Sequence, residues 1–304
     1  MKRGKIITIM MFSLLLVIPL ISAGFFSDLW GQVTGWATKE NVTVTITVGN
    51  AAPTIPIVET ISLQSPVESG TKSIEFYFTV QDENGVSDIN DSTAKAYFQR
   101  IGETTRYNES CVAGSTSGNR KNYTCIIDMW YFDEAGDWTI NVSIKDNSED
   151  SAENSSTTFQ YNELTSMALS PKALTWPGVG PSSTDIGSDN DPIVINNTGN
   201  ADGLEVNVTA LDLIGVPNSG YSIFANNFTV DIISTGCSGD IMQNDTAQKI
   251  TSAALYRGNN TLNYNNQTSG QETLYFCLKG LPTGILAQDY TTAGLGPWIT
   301  EVIG

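Results

Sequence analysis

The chain contains no histidine, and this absence excludes more chemistry than any other feature of the sequence. Ser-His-Asp and Cys-His nucleophile systems need an imidazole base, and most zinc sites and haem ligations also use histidine. Basic residues are scarce as well, because 15 Lys and Arg face 32 Asp and Glu, for a net charge of −17. Affinity for phosphate backbones comes mostly from Lys and Arg, so we expect no nucleic-acid partner.

Long apolar runs are also missing, apart from one at the N-terminus. Three cations within residues 1–5 precede an apolar run at 6–21, and the small residues Ser22 and Ala23 follow. This order predicts a secretory signal over residues 1–23. Because residues 6–23 would form roughly 27 Å of helix, an uncleaved signal anchor is the alternative. The sequence therefore predicts an extracellular or cell-surface protein that touches a membrane only through this N-terminal helix.

Asparagine is abundant, with 25 residues, and twelve of them begin an Asn-x-Ser/Thr sequon without proline. Such sequons are acceptor sites for N-glycosylation in exported chains. A β-sheet rich in Asn and Thr also produces sequons incidentally, and the sequence leaves that alternative open. The twelve glycosylation candidates are Asn41, Asn90, Asn108, Asn122, Asn141, Asn154, Asn196, Asn207, Asn227, Asn244, Asn259 and Asn266.

Helical periodicity is almost absent after Lys39, and short alternating segments separated by Gly, Asn, Asp and Pro take its place. This patterning predicts an all-β protein of two β-sandwich domains, at 57–162 and 163–304. Residues 24–56 hold an aromatic segment, a Thr/Val strand and a proline-stiffened connector. The expected strands of the two domains are 57–63, 74–80, 93–100, 123–128, 138–145, 157–161, 204–213, 227–233, 272–279 and 298–303, and residues 192–199 are expected to form a strand that runs into a turn.

The Thr/Val segment at 41–48 alternates strictly between polar and apolar residues, which would place Val42, Val44, Ile46 and Val48 on one face of a strand. An isolated strand with an apolar face is not stable in water, so it is expected to join a sheet. We expect it to pair within its own chain. The alternative is that it completes the open sheet of a neighbouring molecule.

Several turn-and-strand motifs resemble those of Ig-like modules in prokaryotic cell-surface proteins. They are Asp82-Glu83-Asn84-Gly85 after a strand, Ala135-Gly136-Asp137-Trp138, and the Val-x-Ile-x-Asp strand of Val142–Asp146. The plan of about residues 20–162 is similar to that of secreted surface proteins of archaea. The resemblance implies an Ig-like first sandwich that serves as a spacer or adhesive surface and carries no catalytic residue. In the second half, a strand followed by Asn-Thr-Gly at 197–199 is similar to β-sandwich subunits of extracellular matrix fibres.

Four cysteines, without a CxxC pair, predict disulfides in an exported chain. Of the three connectivities, the simplest joins Cys111 to Cys125 around a polar loop at 112–124, and Cys237 to Cys277. In the chain-entropy model the shorter loop contributes roughly 3 kcal/mol and the longer about 4 kcal/mol. Redox or nucleophilic use would need a cation or an imidazole beside a thiol, and neither lies near Cys237 in the sequence.

One turn, at residues 82–91, offers oxygen ligands at short alternating spacings, with Gly85 to allow the turn. Hard oxygen ligands suit Ca²⁺, although the pattern lacks the distal bidentate glutamate of an EF-hand. A solvated turn is the alternative, because turns favour Asp, Asn and Gly for backbone reasons. No other cofactor is expected, and the acidic turn at 185–191 is a weaker candidate of the same kind. The candidate Ca²⁺ ligands are Asp82, Asn84, Asp88 and Asn90.

The sequence matches the motifs of known catalytic sites poorly. The segment Gly114–Gly118 has threonine where a nucleophile elbow needs serine, and no lysine follows the glycines at 178–180 as a phosphate-binding loop requires. Asp133, Glu134 and Asp137 could supply two carboxylates for glycoside hydrolysis. Their place in a turn at a sandwich corner predicts solvated charge instead, so we expect no enzyme.

The predicted function is therefore structural or adhesive. We expect an extracellular glycoprotein of the cell surface whose partners are other surface proteins, glycans or a second copy of itself. One alternative is a filament or matrix subunit that assembles by strand addition through residues 41–49. The other alternative is a carbohydrate-binding module.

Overall fold

The computed structural model describes residues 41–176, 178–234, 236–259 and 270–304. The expected N-terminal helix at 1–23, the aromatic segment after it and the sequon at Asn266 lie outside these residues. The described part is almost entirely β-structure, with a single 3₁₀ turn at Ala225–Asn227. None of its helices is long and apolar enough to cross a membrane.

The chain divides into two units, residues 1–49 and residues 50–304. In the first unit, residues 41–49 are described, and they belong to no strand. The side chains of Val42, Val44, Ile46 and Val48 are 76–82% exposed. The expectation of a strand that pairs within its own chain is therefore wrong for the described residues. Alternation shows which face of a strand would be buried, but it does not supply the sheet edge on which the strand depends.

The first sandwich consists of two four-stranded antiparallel sheets, with the orders β1-β2-β6-β5 and β4-β3-β7-β8. Strands β2 and β6 pair over eleven residues, from Thr71 opposite Trp130 to Gln81 opposite Arg120. Alternating side chains of both sheets meet in one core around Phe76, Phe98 and Trp138. The strands are β1 Thr54–Val58, β2 Thr71–Gln81, β3 Ile89–Gln99, β4 Arg106–Asn108, β5 Val112–Ser117, β6 Arg120–Trp130, β7 Gly136–Asp146 and β8 Ser151–Tyr161.

This sandwich differs from the sequence-based expectation in several details, since β4 was not expected and β8 begins at Ser151 rather than at 157. The first strand lies at Thr54–Val58 rather than 57–63, and Leu63 is 56% exposed. The expected polar loop at 112–124 is a β-hairpin formed by β5 and β6. In β1 and in the β5–β6 hairpin, segments that are polar or contain proline pair through their backbone groups, and side-chain alternation does not reveal such pairing.

The second sandwich is built from a larger sheet, ordered β16-β15-β18-β11-β9 with β10 also paired to β18, and two three-stranded sheets, β17-β12-β20 and β14-β13-β19. A second core lies between them, where Phe228 packs against Trp176 and Trp298. The strands are β9 Met167–Ser170, β10 Thr184–Gly187, β11 Ile193–Asn197, β12 Leu204–Thr209, β13 Leu213–Val216, β14 Ser222–Ile223, β15 Phe228–Asp231, β16 Asp240–Ile241, β17 Ala247–Leu255, β18 Gln271–Gly280, β19 Asp289–Thr291 and β20 Ile299–Ile303.

The two disulfides are Cys111–Cys125 and Cys237–Cys277, so the simplest of the three connectivities is the one observed. Cys111 lies between β4 and β5, where the chain passes from one sheet of the first sandwich to the other. Its backbone N–H also binds the carbonyl of Ala94 in β3 at 3.0 Å. The first disulfide therefore holds the sheet-to-sheet crossing against both sheets.

Candidate functional site: an acidic cluster and the junction between the sandwiches

The acidic turn after β2 is a compact loop. The N–H of Gly85 binds the carbonyl of Asp82 at 3.1 Å, and the N–H of Asp88 binds the carbonyl of Gly85 at 3.0 Å. Gly85 has φ 104°, a backbone conformation that side-chain-bearing residues rarely adopt. The loop thus carries the chain from β2 in one sheet to β3 in the other, with Asp82 and Asp88 at its two ends.

A third carboxylate, from a distant part of the sequence, joins these two. Asp146 ends β7 and lies opposite Ile89, the first residue of β3. One side-chain oxygen each from Asp82, Asp88 and Asp146 lies within 4.8 Å of the other two. We call these three residues the acidic cluster. The register between β3 and β7 creates it, so the Val142–Asp146 motif alone could not reveal that Asp146 lies beside Asp82 and Asp88.

The three carboxylates of the acidic cluster have different surroundings. Asp82 and Asp146 are fully buried, and Asp88 is half-buried. Asp146 accepts hydrogen bonds from Asn50 Nδ2 at 2.8 Å and from the N–H groups of Ser148 and Asp150 at 2.9 Å. The side chain of Asp82 accepts one bond, from the N–H of Asn84 at 2.7 Å, and its Oδ2 has no hydrogen-bond partner among the described residues.

These surroundings shift the pKa values of the two buried carboxyl groups, Asp82 and Asp146, in opposite directions. Burial raises the pKa of Asp82, and the charges of Asp88 and Asp146 raise it further against the opposing effect of the Asn84 N–H. The hydrogen bond from Asn50 lowers the pKa of Asp146, with help from nearby backbone N–H groups. The cluster therefore concentrates negative charge around one carboxylate that lacks donors.

The remaining expected ligands of this turn are bound elsewhere. Asn90 accepts bonds from the N–H and hydroxyl of Ser92. The side-chain oxygen of Asn84 accepts the N–H of Ala51 at 2.7 Å. Of the four predicted ligands, the structure therefore places Asp82 and Asp88 in the acidic cluster, with Asp146 in addition.

The second acidic turn, at 185–191, forms no comparable cluster among the described residues. Asp191 Oδ2 accepts the N–H groups of Phe276 and Ser188 at 3.0 and 3.3 Å. Asn190 accepts the N–H of Thr175 and the hydroxyl of Ser188. These side chains support the backbone of the turn and do not converge on a common point.

At the corner of the first sandwich, Asp133 is not solvated, contrary to expectation, whereas Asp137 is exposed as expected. Asp133 is fully buried and pairs with Arg106, which is 4% exposed. Both oxygens of Asp133 bind the Arg106 guanidinium, and Oδ2 also accepts the N–H of Trp130 at 2.7 Å. A carboxylate held in this way cannot reach a sugar substrate, so Asp133 is unsuited to the glycosidase role considered above.

The same corner forms the junction between the two sandwiches. Arg257 follows β17 and binds Glu103 at 2.6 Å, Glu134 at 3.4 Å and the carbonyl of Phe132 at 3.3 Å. The hydrogen bond from Arg100 to Glu134 is the main reason that the pKa of Glu134 lies below its ordinary value, with the charge of Arg257 contributing. The junction therefore uses charged groups from both sandwiches, of which Glu103 is almost fully buried and Glu134 is 39% exposed.

The Asn-Thr-Gly turn after β11 supplies the other half of the junction. Asn200 Nδ2 binds the carbonyls of Asp133 and Asn162, both at 2.9 Å. The backbone carbonyl of Thr198 accepts a hydrogen bond from the N–H of Ser69 in the first sandwich, at 3.0 Å. A Cβ at Gly199 would lie 2.0 Å from the carbonyl oxygen of Leu164, so only glycine fits this close approach. The motif was visible in the sequence, but its partners in the first sandwich were not.

The second sandwich also contains a cavity of about 1340 Å³. Its lining combines aromatic core side chains, including Trp176, Phe228 and Trp298, with polar side chains such as Lys172 and Gln288. The two indole N–H groups there bind the backbone carbonyls of Ile186 and Leu211. The indole N–H groups of Trp176 and Trp298 therefore form hydrogen bonds within the fold.

The described sequons differ in exposure. Asn41, Asn122 and Asn244 are exposed, whereas Asn141 and Asn207 have buried side-chain oxygens.

Comparison of the chain with known proteins adds nothing to these observations, because no protein-family model matches it and no curated protein is significantly similar.

Proposed function

We propose that this chain is an exported, non-catalytic structural or adhesive protein of the cell surface. The observation that supports this most is the way the two sandwiches are held. Each contains one disulfide, and a buried network of ion pairs and hydrogen bonds joins them. Disulfides persist in oxidising compartments, which fits a chain that leaves the cytoplasm.

Labelling of intact cells with a membrane-impermeant amine reagent tests this proposal. The chain has lysines on the surface of both sandwiches, including Lys145 and Lys249, whose side chains are 46% and 57% exposed. We expect both to be labelled without lysis. Labelling that requires cell lysis would contradict the proposal, and a cytoplasmic protein labelled in parallel controls for leakage.

Strand addition between copies is a second candidate function, favoured by one observation. Residues 41–49 alternate Val or Ile with Thr, form no strand, and expose their apolar side chains to 76–82%. Such a segment has the pattern of a strand that pairs with the sheet of another molecule. On this proposal, the chain is a filament or matrix subunit.

Sedimentation of matched variants tests strand addition. The change Val44→Asp with Ile46→Asp places charge on the apolar face, and Thr43→Asp with Thr45→Asp places the same charge on the opposite face. We expect concentration-dependent assembly to be lost in the first variant and retained in the second. Assembly that both variants lose equally, or a wild-type monomer at all concentrations, would contradict it.

A further inference from the structure

We propose that the acidic cluster of Asp82, Asp88 and Asp146 binds one Ca²⁺ ion at the end of the first sandwich. Binding of a cation by these groups does not depend on the proposed function. The three residues come from three different strand ends: Asp82 follows β2, Asp88 precedes β3, and Asp146 ends β7. One ion held there would join the two sheets of the sandwich.

The spacing of the oxygens fits a shared ion. Ca²⁺ binds oxygen ligands at about 2.3–2.6 Å, so two oxygens on opposite sides of it are about 4.6–5.2 Å apart. The cluster brings one oxygen from each carboxylate within 4.8 Å of the others. All three can therefore contact a single ion with small side-chain movements.

Asp82 supplies the independent reason to expect a ligand. Its side chain is 0% exposed, and Oδ2 has no hydrogen-bond partner among the described residues. Burying an unpaired carboxylate is costly, and proteins normally compensate by pairing it or by coordinating a metal. Among the described residues, no Lys or Arg forms a salt bridge with Asp82, Asp88 or Asp146.

The neighbouring bonds of Asp146 leave room for this role. Its Oδ1 accepts two backbone N–H groups and its Oδ2 accepts Asn50 Nδ2, so the carboxylate is fixed in orientation. An ionised carboxylate has about four acceptor positions, and one at Oδ2 remains for a cation. Asp146 thus resembles the oriented carboxylates that usually support metal sites.

The ligand chemistry favours Ca²⁺ over other divalent ions. Carboxylate oxygens suit Ca²⁺, Mg²⁺ and Mn²⁺ rather than the softer metals that prefer histidine or cysteine. Mg²⁺ keeps several waters and usually takes one or two carboxylates, whereas Ca²⁺ accepts six to eight oxygens in flexible geometry. Three protein carboxylates around one point match the preference of Ca²⁺.

Calorimetric titration with CaCl₂ of the full chain, freed of metal with a chelator, tests the proposal. Measurement at about 0.15 M NaCl screens diffuse attraction to the acidic surface. We expect one saturable Ca²⁺ per chain, with a Kd of about 10⁻⁴–10⁻³ M as in extracellular modules. Asp82→Asn and, separately, Asp88→Asn should weaken binding at least about tenfold.

Asp189→Asn is the matched control, because it makes the same change in the other acidic turn, at an exposed residue. We expect wild-type affinity in this variant. Thermal unfolding gives a second readout. Without Ca²⁺, Asp82→Asn should be as stable as wild type or more so, and Ca²⁺ should stabilise wild type and Asp189→Asn more than Asp82→Asn.

Three outcomes would overturn the proposal. They are the absence of saturable binding up to about 10 mM Ca²⁺, equal affinity in all variants, and loss of binding in Asp189→Asn alone. Mg²⁺ binding with equal affinity and the same response to the variants would overturn the assignment to Ca²⁺. The half-buried Asp88 gives a folded test variant even if changing the buried Asp82 prevents folding.

Discussion

Arg257 of the second sandwich binds Glu103 of the first, with 2.6 Å between Nη2 and Oε1. The Glu103 side chain is 1% exposed and that of Arg257 is 19% exposed, so water screens this pair poorly. Arg257 also binds Glu134 and the Phe132 carbonyl, which lie in the loop between β6 and β7. One side chain therefore connects the second sandwich to two loops of the first.

Replacing Arg257 by methionine should uncouple the two sandwiches. The buried Glu103 would lose its ion pair with Arg257, and breaking a buried pair costs about 3–5 kcal/mol. We expect urea unfolding, followed by tryptophan fluorescence, to change from one transition to two. Lys249→Met, which removes an exposed pair with Glu205, should cost only about 0–1 kcal/mol. A single transition with the same midpoint in both variants would show that Arg257 does not couple the sandwiches.

The buried pair of Asp133 and Arg106 should behave as a unit. Asp133→Leu removes the carboxylate that pairs with the Arg106 guanidinium, which is only 4% exposed. We expect the free energy of unfolding to fall by about 3–5 kcal/mol. The double variant with Arg106→Met should recover much of that loss, because apolar replacement of both partners is often neutral. Chemical denaturation of both single variants and the double variant measures the coupling energy. Additive losses would mean that the pair contributes nothing as a pair.

Acid should weaken the junction through Glu134. The pKa of Glu134 in the folded chain is held below its ordinary value of 4.5. A carboxyl group with a lowered folded pKa contributes stability that is present above the unfolded pKa and is lost as pH falls through the folded pKa. We expect the unfolding midpoint to fall as the pH drops below about 4.5, and Glu134→Gln to reduce that dependence. An identical pH profile in Glu134→Gln would contradict this role.

Glycan occupancy should follow exposure. The amide nitrogen of Asn154 binds the carbonyl of Ile55, and that of Asn108 binds the carbonyl of Ile126, which occupies the atom that a glycan would modify. Asn41 and Asn244 are exposed. Glycopeptide mass spectrometry on the native protein should find the exposed sites occupied more often than the other two. Higher occupancy at Asn108 and Asn154 would show that folding does not decide the pattern.

Much of the fold could be predicted from the sequence, because the long strands alternate apolar and polar residues. The segment from Ile74 to Val80 lies within β2, and the segment from Trp138 to Lys145 lies within β7. Strand β17, at Ala247–Leu255, was missed since its burial does not alternate regularly and a bulge shifts its register against β12. Alternation reveals strands that bury one face, and it fails where the pairing is irregular.

The acidic cluster and the junction were only partly predictable. Asp82 and Asp88 lie six residues apart and form a visible motif, whereas Asp146 joins them through the register of β3 and β7. The buried state of Asp133 was predicted wrongly, because a charge in a turn gives no sign of its distant partner. Arg106 is 27 residues away and provides the compensation that makes the burial possible. Long-range pairing of this kind depends on topology, and a single sequence does not show it.

Peptide mapping without reduction, on protein released from the surface of intact cells, tests the central claim most directly. Free thiols would be blocked with an alkylating reagent before digestion. The account predicts linked peptides containing Cys111 with Cys125 and Cys237 with Cys277, and no alkylated cysteine. Alkylated cysteines in that material, or the chain found only inside the cells, would contradict an exported protein held together by disulfides.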